Sequence, residues 1–213
     1  MKFIKKSQPD PHKEHKSRFH AWVDSLPEFE TNPASLRFWR DSFLIFVVAG
    51  IVGHAADLLW RIMMDVPVET WIWQLLPVIA IPYGLAALAT LWFVYPLFRA
   101  KKIGTFLTYL FGAIVVTAVE FLCGVTLMAM NNGVNPYWDY SHLPFNLFGQ
   151  VCLQNSVVFG FVAIAGVCFI LPWLLMRFNR LSKMTLNIIT GALVACCIAS
   201  IVLYFIFGLR LVI

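Results

Sequence analysis

Residues 104–130 read GTFLTYLFGAIVVTAVEFLCGVTLMAM, a run with one charged side chain, Glu120. About 20 apolar residues in a helix cover the ~30 Å of hydrocarbon in a bilayer, so this run is a membrane span with residues to spare. Four more follow the same logic. They run from about Ser42 to Trp60, Val78 to Phe98, Asn146 to Leu175 and Leu186 to Gly208. A Trp-rich lead-in, Trp71–Leu76, precedes the second, and Pro77 and Pro82 make it an interfacial or re-entrant piece. The whole chain of 213 residues is 60% hydrophobic and 13% charged, against about 45–50% and about 25% in soluble domains. The expected fold is therefore an all-α polytopic membrane bundle of about five transmembrane helices. It divides into a charged tail, residues 1–41, and a transmembrane domain, residues 42–213. A disulfide scaffold, a disordered chain and an ordinary soluble enzyme are excluded.

Charge sets the orientation. The tail holds eight Lys and Arg, and the Arg99–Lys102 and Arg177–Lys183 turns hold three each, whereas the opposite side has only Arg61 and Arg210. By the positive-inside rule the N-terminus is cytoplasmic, the C-terminus external, and the chain sits in the cell membrane. Trp60, Trp71, Trp73 and Trp138 then fall near the outer interface, Trp39 and Trp173 near the inner one. The net charge of +5 follows topology, so no nucleic-acid partner is implied. In the tail, Phe19, Trp22, Val23 and Leu26 share one face of a short amphipathic helix, flanked by Lys13, Lys16 and Arg18. That helix lies on the inner leaflet or docks a partner. Asn32-Pro33 reads as an N-cap with Pro at the first helical position, opening the first span.

Polar side chains inside the spans are the functional candidates, because a central charge costs ~2.5–3.5 kcal/mol on insertion scales. His54 and Asp57 share a face of the first span. Glu120 lies about 15 Å from the outer end of the third and cannot snorkel easily, so it is protonated or paired. Gly124, one turn further out, lets another helix approach. On the fourth span Asn146, Gln150 and Gln154 are spaced by four on one face, with Asn155 and Ser156 beyond; they glue helices together or line a polar cavity. The connection from Asn131 to Phe145 is rich in turn formers and aromatics. Asp139 caps a turn through Ser141, or Trp138, Tyr140 and Ser141 belong to a lid over an outer cavity.

His54, Asp57, Glu120 and Asp139 converging near the outer leaflet would suit acid–base chemistry, but His54 reads first as a hydrogen-bonded packing residue and only second as a base. No nucleophile elbow, zinc motif or P-loop accompanies them. The five cysteines all fall in apolar runs without metal or redox spacing, and no secretory signal precedes residue 30. No metal and no cofactor is expected.

In order along the chain, these pieces resemble one bacterial membrane family, labelled Putative ABC-transporter type IV, or CmpB-like. Gly53 and Asp57 match its first span, Pro82-Tyr83-Gly84 the start of the next, and Glu120 with Gly124 the third. The most specific block is Trp138-Asp139-Tyr140-Ser141, then Pro144, Asn146, Gly149 and Cys152, with Ser156 and Gly160 beyond. The resemblance covers about residues 43–176. The eukaryotic transmembrane protein 229 family is similar, more distantly, through the same block. The chain departs from the family in three places. The family usually has Glu where Asp57 stands, often an aromatic at His54, and often Arg at Gln150; Gln150 cannot supply that charge, so either the acid here is neutral or His54 takes over part of the role.

The resemblance implies a permease-like transport component working with a separate ATPase or a membrane partner subunit, or as a homo-oligomer, among membrane lipids. Five spans are few for a complete transporter, and no inverted repeat is visible. Its expected ligand site is a polar outer-side cavity for a small or lipid-like molecule, drawn from His54, Asp57, Glu120, Asp139, Asn146, Gln150 and Gln154. A membrane enzyme using Asp57, Glu120 and Asp139 on a lipid or lipid-linked substrate is the first alternative. A binding or regulatory protein without chemistry is the second.

Overall fold

The computed structural model describes residues 11–63 and 80–207, without the side chains of residues 11–17, 60–61, 200–201 and 203–207. The lead-in Trp71–Leu76, Pro77, the expected start of the second span at Val78 and the end of the fifth at Gly208 lie outside the described residues. The structure is helical almost throughout. Helices α1 (Pro11–Ser25) and α2 (Leu36–Met63) lead to a broken helix, α3 (Ile81–Ala89) and α4 (Tyr95–Arg99), joined by a π turn at Thr90–Val94. After α5 (Thr105–Met130), a two-residue hairpin, β1 (Asn146–Leu147) and β2 (Val151–Cys152), precedes a second broken helix, α6 (Leu153–Ala165) and α7 (Leu171–Arg180), joined by a π turn at Gly166–Ile170. Helix α8 runs Lys183–Phe207.

Four of these stretches are long and apolar enough to cross a membrane: Leu36–Leu59, Ile81–Arg99, Thr105–Met130 and Leu153–Arg180. The expected fifth span coincides with α8, whose residues 183–199 form a shorter apolar helix. The protein is a multi-pass membrane bundle.

Both π turns have the same cause. Pro96 and Pro172 lack an N–H, and a residue inserted just before each absorbs the missing bond. The amides of Tyr95 and Leu171 reach back five residues, to the carbonyls of Thr90 and Gly166. The two broken helices also match in sequence at constant spacing: Gly84 with Gly160, Ala87 with Ala163, Ala89 with Ala165, Phe93 with Phe169 and Pro96 with Pro172. Burial follows the match. Leu91 and Val167 are both fully buried, and Phe93 and Phe169 are both exposed. Each broken helix packs most closely on the long helix before it, α3 on α2 and α6 on α5, and the two π turns touch. The bundle is thus a helical hairpin used twice, each with a kinked second arm ending in a basic turn. This repeat is not the inverted kind sought in the sequence.

Glycine makes both hairpins tight. The Tyr83 ring lies against Gly53 and the Phe46 ring against Gly84, while Tyr109 covers Gly160 and Ala163 covers Gly112. Without a hydrophobic drive between helices in lipid, such close van der Waals contact is what holds them together.

The tail helix packs inward. Val23 is fully buried, and Leu26 and Phe29 join it in the core beside Phe38, Tyr95 and Phe98. Phe19 and Trp22 meet Phe98 edge-on, at 6.1 and 6.0 Å between ring centres. The face expected to lie on the leaflet is covered by the protein's own α4. Tyr95 Oη donates to the Pro27 carbonyl (2.6 Å), Arg99 to the Leu26 carbonyl (3.1 Å) and Lys101 to Asp24 (2.6 Å). Asn32-Pro33 is not the helix cap. Asn32 Oδ1 accepts from the Ala34 amide in a turn, and Ser35 Oγ caps α2 by accepting from Arg37 N–H. At the start of α2, Asp41 is 2% exposed and takes Arg37 and Arg40 as partners.

Candidate functional site

At the end of the bundle opposite the basic turns, residues 131–152 fold back over α5 and α6. The turn begins at Asn135, whose Oδ1 accepts the amides of Tyr137 (3.0 Å) and Trp138 (3.4 Å). Asn135 Nδ2 then donates to Gln150 Oε1 at 2.8 Å. Trp138 Nε1 donates to the Gln150 carbonyl (2.9 Å), and Tyr140 N–H to the Gly149 carbonyl (2.8 Å). Asn146 holds the next bend, donating to the Leu143 carbonyl (2.7 Å) and accepting from Gly149 N–H (3.0 Å). Phe148 and Gly149 have φ of 53° and 69°, and their left-handed backbone reverses the hairpin. A side chain on Gly149 would also meet Asp139 Oδ1 at 2.8 Å.

This hairpin changes the expected polar stripe. The helix begins at Leu153 rather than Asn146, so Asn146, Gln150 and Gln154 do not share a helical face. The local turn chemistry of residues 145–150 wins over the apolar run. Gln150 is buried, 4% exposed, with its side chain over Gly124. The approach that Gly124 permits is therefore by this side chain and not by another helix. Gln154 is exposed on α6, Asn155 is half-buried, and Ser156 Oγ bonds the Cys152 carbonyl (3.0 Å).

Tyr140 Oη reaches down to Glu120 and donates to Oε1 at 3.1 Å. Burial first, then the Glu120 charge, hold the Tyr140 phenol above its ordinary value, so it keeps its proton and serves as a donor. Helix α5 packs against α3 as well as α6, so Glu120 stands on the helix that forms the seam between the two hairpins. The other carboxylate oxygen, Glu120 Oε2, is buried and has no hydrogen-bond partner among the described residues; Thr117 Oγ1, one turn earlier, is the same. Thr117 carries no sequence motif and was not picked out by the pattern of polar residues.

Asp139 does not join this acid. Its Oδ1 accepts Ser141 N–H (2.8 Å) and its Oδ2 accepts Ser141 Oγ–H (2.9 Å). Those two bonds hold its carboxyl below the ordinary value, and the residue is exposed. His54 and Asp57 are half-buried on α2, one and four residues beyond Gly53. The described contacts tie neither to Glu120.

Two apolar grooves flank α5. One, about 570 Å3, is lined by Phe121, Val125, Met128, Ala129, Gly133 and Phe148. The other, about 310 Å3, is lined by Leu97, Ile103, Leu107, Leu110, Phe111 and Ile114. Among the described residues no three His, Cys, Asp or Glu side chains stand together.

The sequence pattern of the family described as Putative ABC-transporter type IV matches residues 44–205. The chain belongs to that family. No curated protein and no solved structure matches it. The block through which the CmpB-like resemblance is strongest is this folded loop. Trp138, Tyr140, Asn146 and Gly149 each make one of its fixing contacts, and Tyr140 delivers it to Glu120. Gln150 holds Asn135 and covers Gly124, and the partner of Glu120 is a neutral phenol.

Proposed function

We propose that the chain is the membrane-spanning component of a transport assembly in the cell membrane, with its basic end in the cytoplasm and its energy supplied by a separate ATPase subunit. In this reading the 131–152 loop closes a site centred on Glu120 for a small or lipid-like ligand. The observation that carries it is the Tyr140–Glu120 hydrogen bond. A buried acid is costly in lipid and tends to mark a substrate or ion path. Here it is held from above by the loop that characterises the family. Family membership supports the ATPase partner. The repeated hairpin supports the transport reading itself, since many transporters are built from repeats with their sites at the repeat interface.

Native mass spectrometry of the protein, extracted gently from its own membrane beside Glu120→Gln, tests this. A stoichiometric ATPase or second membrane subunit is expected. A lone monomer in both samples would sink the transport reading. The apolar groove beside Phe121 and Phe148 favours the enzyme reading as runner-up, because it fits an acyl chain. A discrete lipid bound to the wild type and lost in Glu120→Gln would move the balance to that alternative.

A further inference from the structure

In this bundle five helical hydroxyls share one habit. Thr90, Thr108, Thr126, Ser156 and Thr190 each donate to the carbonyl four residues back, at 2.8 to 3.0 Å. That local bond satisfies a hydroxyl in an apolar helix without any outside partner. Thr117 departs from it. Its Oγ1 is buried and makes no hydrogen bond among the described residues. One turn along the same face, Glu120 Oε2 is in the same condition while Oε1 is fixed by Tyr140. Buried groups left unsatisfied cost about 1–3 kcal/mol each, more when charged, and natural structures keep few of them. Two within one helical turn point to a ligand that bonds both.

We propose that Thr117 Oγ1 and Glu120 Oε2 are ligands of a small monovalent cation, enclosed by the Tyr140 end of the loop. This rests on the reading of Glu120 as the ligand-facing acid and names what it binds. Size follows from burial, since both oxygens are covered. Charge follows from the ligand set. A single carboxylate with neutral hydroxyls matches one positive charge, whereas calcium sites recruit several carboxylates. The location fits too. The pair lies on α5, which packs against α3 as well as α6, and Tyr140 brings the loop to Glu120.

The test uses the full-length chain in detergent with sodium as the probe and choline at equal ionic strength as the control. At about 100 times its Kd, sodium should raise Tm by about 5–10 °C in the wild type. It should also slow labelling of Glu120 by a hydrophobic carbodiimide about 100-fold, read by mass spectrometry. Thr117→Val keeps the shape of the side chain and should lose both effects. Glu120→Gln should lose the shift and the label. Three results overturn the proposal: a wild-type Tm that sodium moves no more than choline, a sodium shift that survives in Thr117→Val, or labelling of Glu120 that sodium leaves unchanged. The measurement needs no partner subunit, so finding no ATPase would end the transport reading and leave this site standing.

Discussion

Replacing Gly53 by Ala tests whether glycine contact holds the first hairpin. A Cβ built on Gly53 lies 2.3 Å from Tyr83 Cγ, 2.5 Å from its Cβ and 2.8 Å from its Cδ1. Ordinary contact begins near 3.4 Å. Rotating the ring does not help, because Tyr83 Cβ is fixed to the backbone of α3. The helix itself must retreat by roughly 1 Å, which overpacking studies put at about 1–3 kcal/mol. That retreat also pulls the Ala80 amide from the Gly50 carbonyl, now 3.2 Å away, a further loss of about 1 kcal/mol. Ala is the better helix former by about 1 kcal/mol, which offsets part of this. The net expectation is destabilisation by about 1–3 kcal/mol, measured by reversible SDS titration in mixed micelles. Gly191→Ala is the control, since nothing lies within 4 Å of the new methyl in α8 and only the helix-propensity gain remains. Gly84→Ala meets Phe46 at 2.5 Å across the same interface, so one retreat serves both sites and the double variant should cost less than the two singles added. If Gly53→Ala unfolds at the same SDS fraction as Gly191→Ala, close packing at this glycine is not what holds α2 and α3 together.

Other residues carry separate expectations. Tyr140→Phe removes the donor to Glu120 and should lower stability by about 1–3 kcal/mol in the same titration, with the loop cut faster by protease. Leu26→Ala should loosen the tail by about 2–4 kcal/mol, because the side chain is buried in the core, and limited proteolysis between α1 and α2 reads the release. Lys101→Ala should change that proteolysis little, since its bridge to Asp24 is largely exposed. Asp139 has a carboxyl held below its ordinary value of 3.8, so the turn it makes with Ser141 should be fully present above that pH and lost only as pH falls through the lower folded value. Hydrogen exchange at the Ser141 amide measures this, and Asp139→Asn should remove the acid dependence.

The spans were legible because apolar length is a one-dimensional property. Residues 104–130 need no neighbour to be recognised, and the structure returns α5 as Thr105–Met130. What failed to show was whatever depends on bonds across the fold. The fourth span was read from Asn146 because hydropathy does not register a hairpin turned by Phe148 and Gly149 at positive φ. The tail helix was legible as amphipathic from Phe19, Trp22, Val23 and Leu26. Its partner was not, since the rings of α4 satisfy that face as well as lipid would. Glu120 stood out as an isolated acid in an apolar run. Thr117 did not, because a threonine in a membrane helix normally bonds its own backbone and carries no signal until that bond is found missing.

The repeated hairpin bears on how such a bundle would work. Each π turn is followed two residues on by a proline that cannot restore the helical bond, so the kink is fixed by covalent structure and only its angle remains adjustable. The two kinks meet where Thr90 Cγ2 stands 4.0 Å from a Cβ built on Gly166, a contact with room for sliding but not for separation. Beyond the kinks, α3 and α6 hold their partner helices through glycines, and beyond those lies the loop with Tyr140. A movement that opened the seam at Glu120 could therefore pivot on the π turns and leave the basic end, fastened by Tyr95, Arg99 and Asp41, in place. A disulfide joining Thr90→Cys to Gly166→Cys, in a background with the native cysteines replaced, should accordingly leave carbodiimide access to Glu120 unchanged if the pivot lies there. A cross-link that shuts off that access would place the moving contact at the π turns themselves, and the hinge would have to be sought elsewhere in the arms.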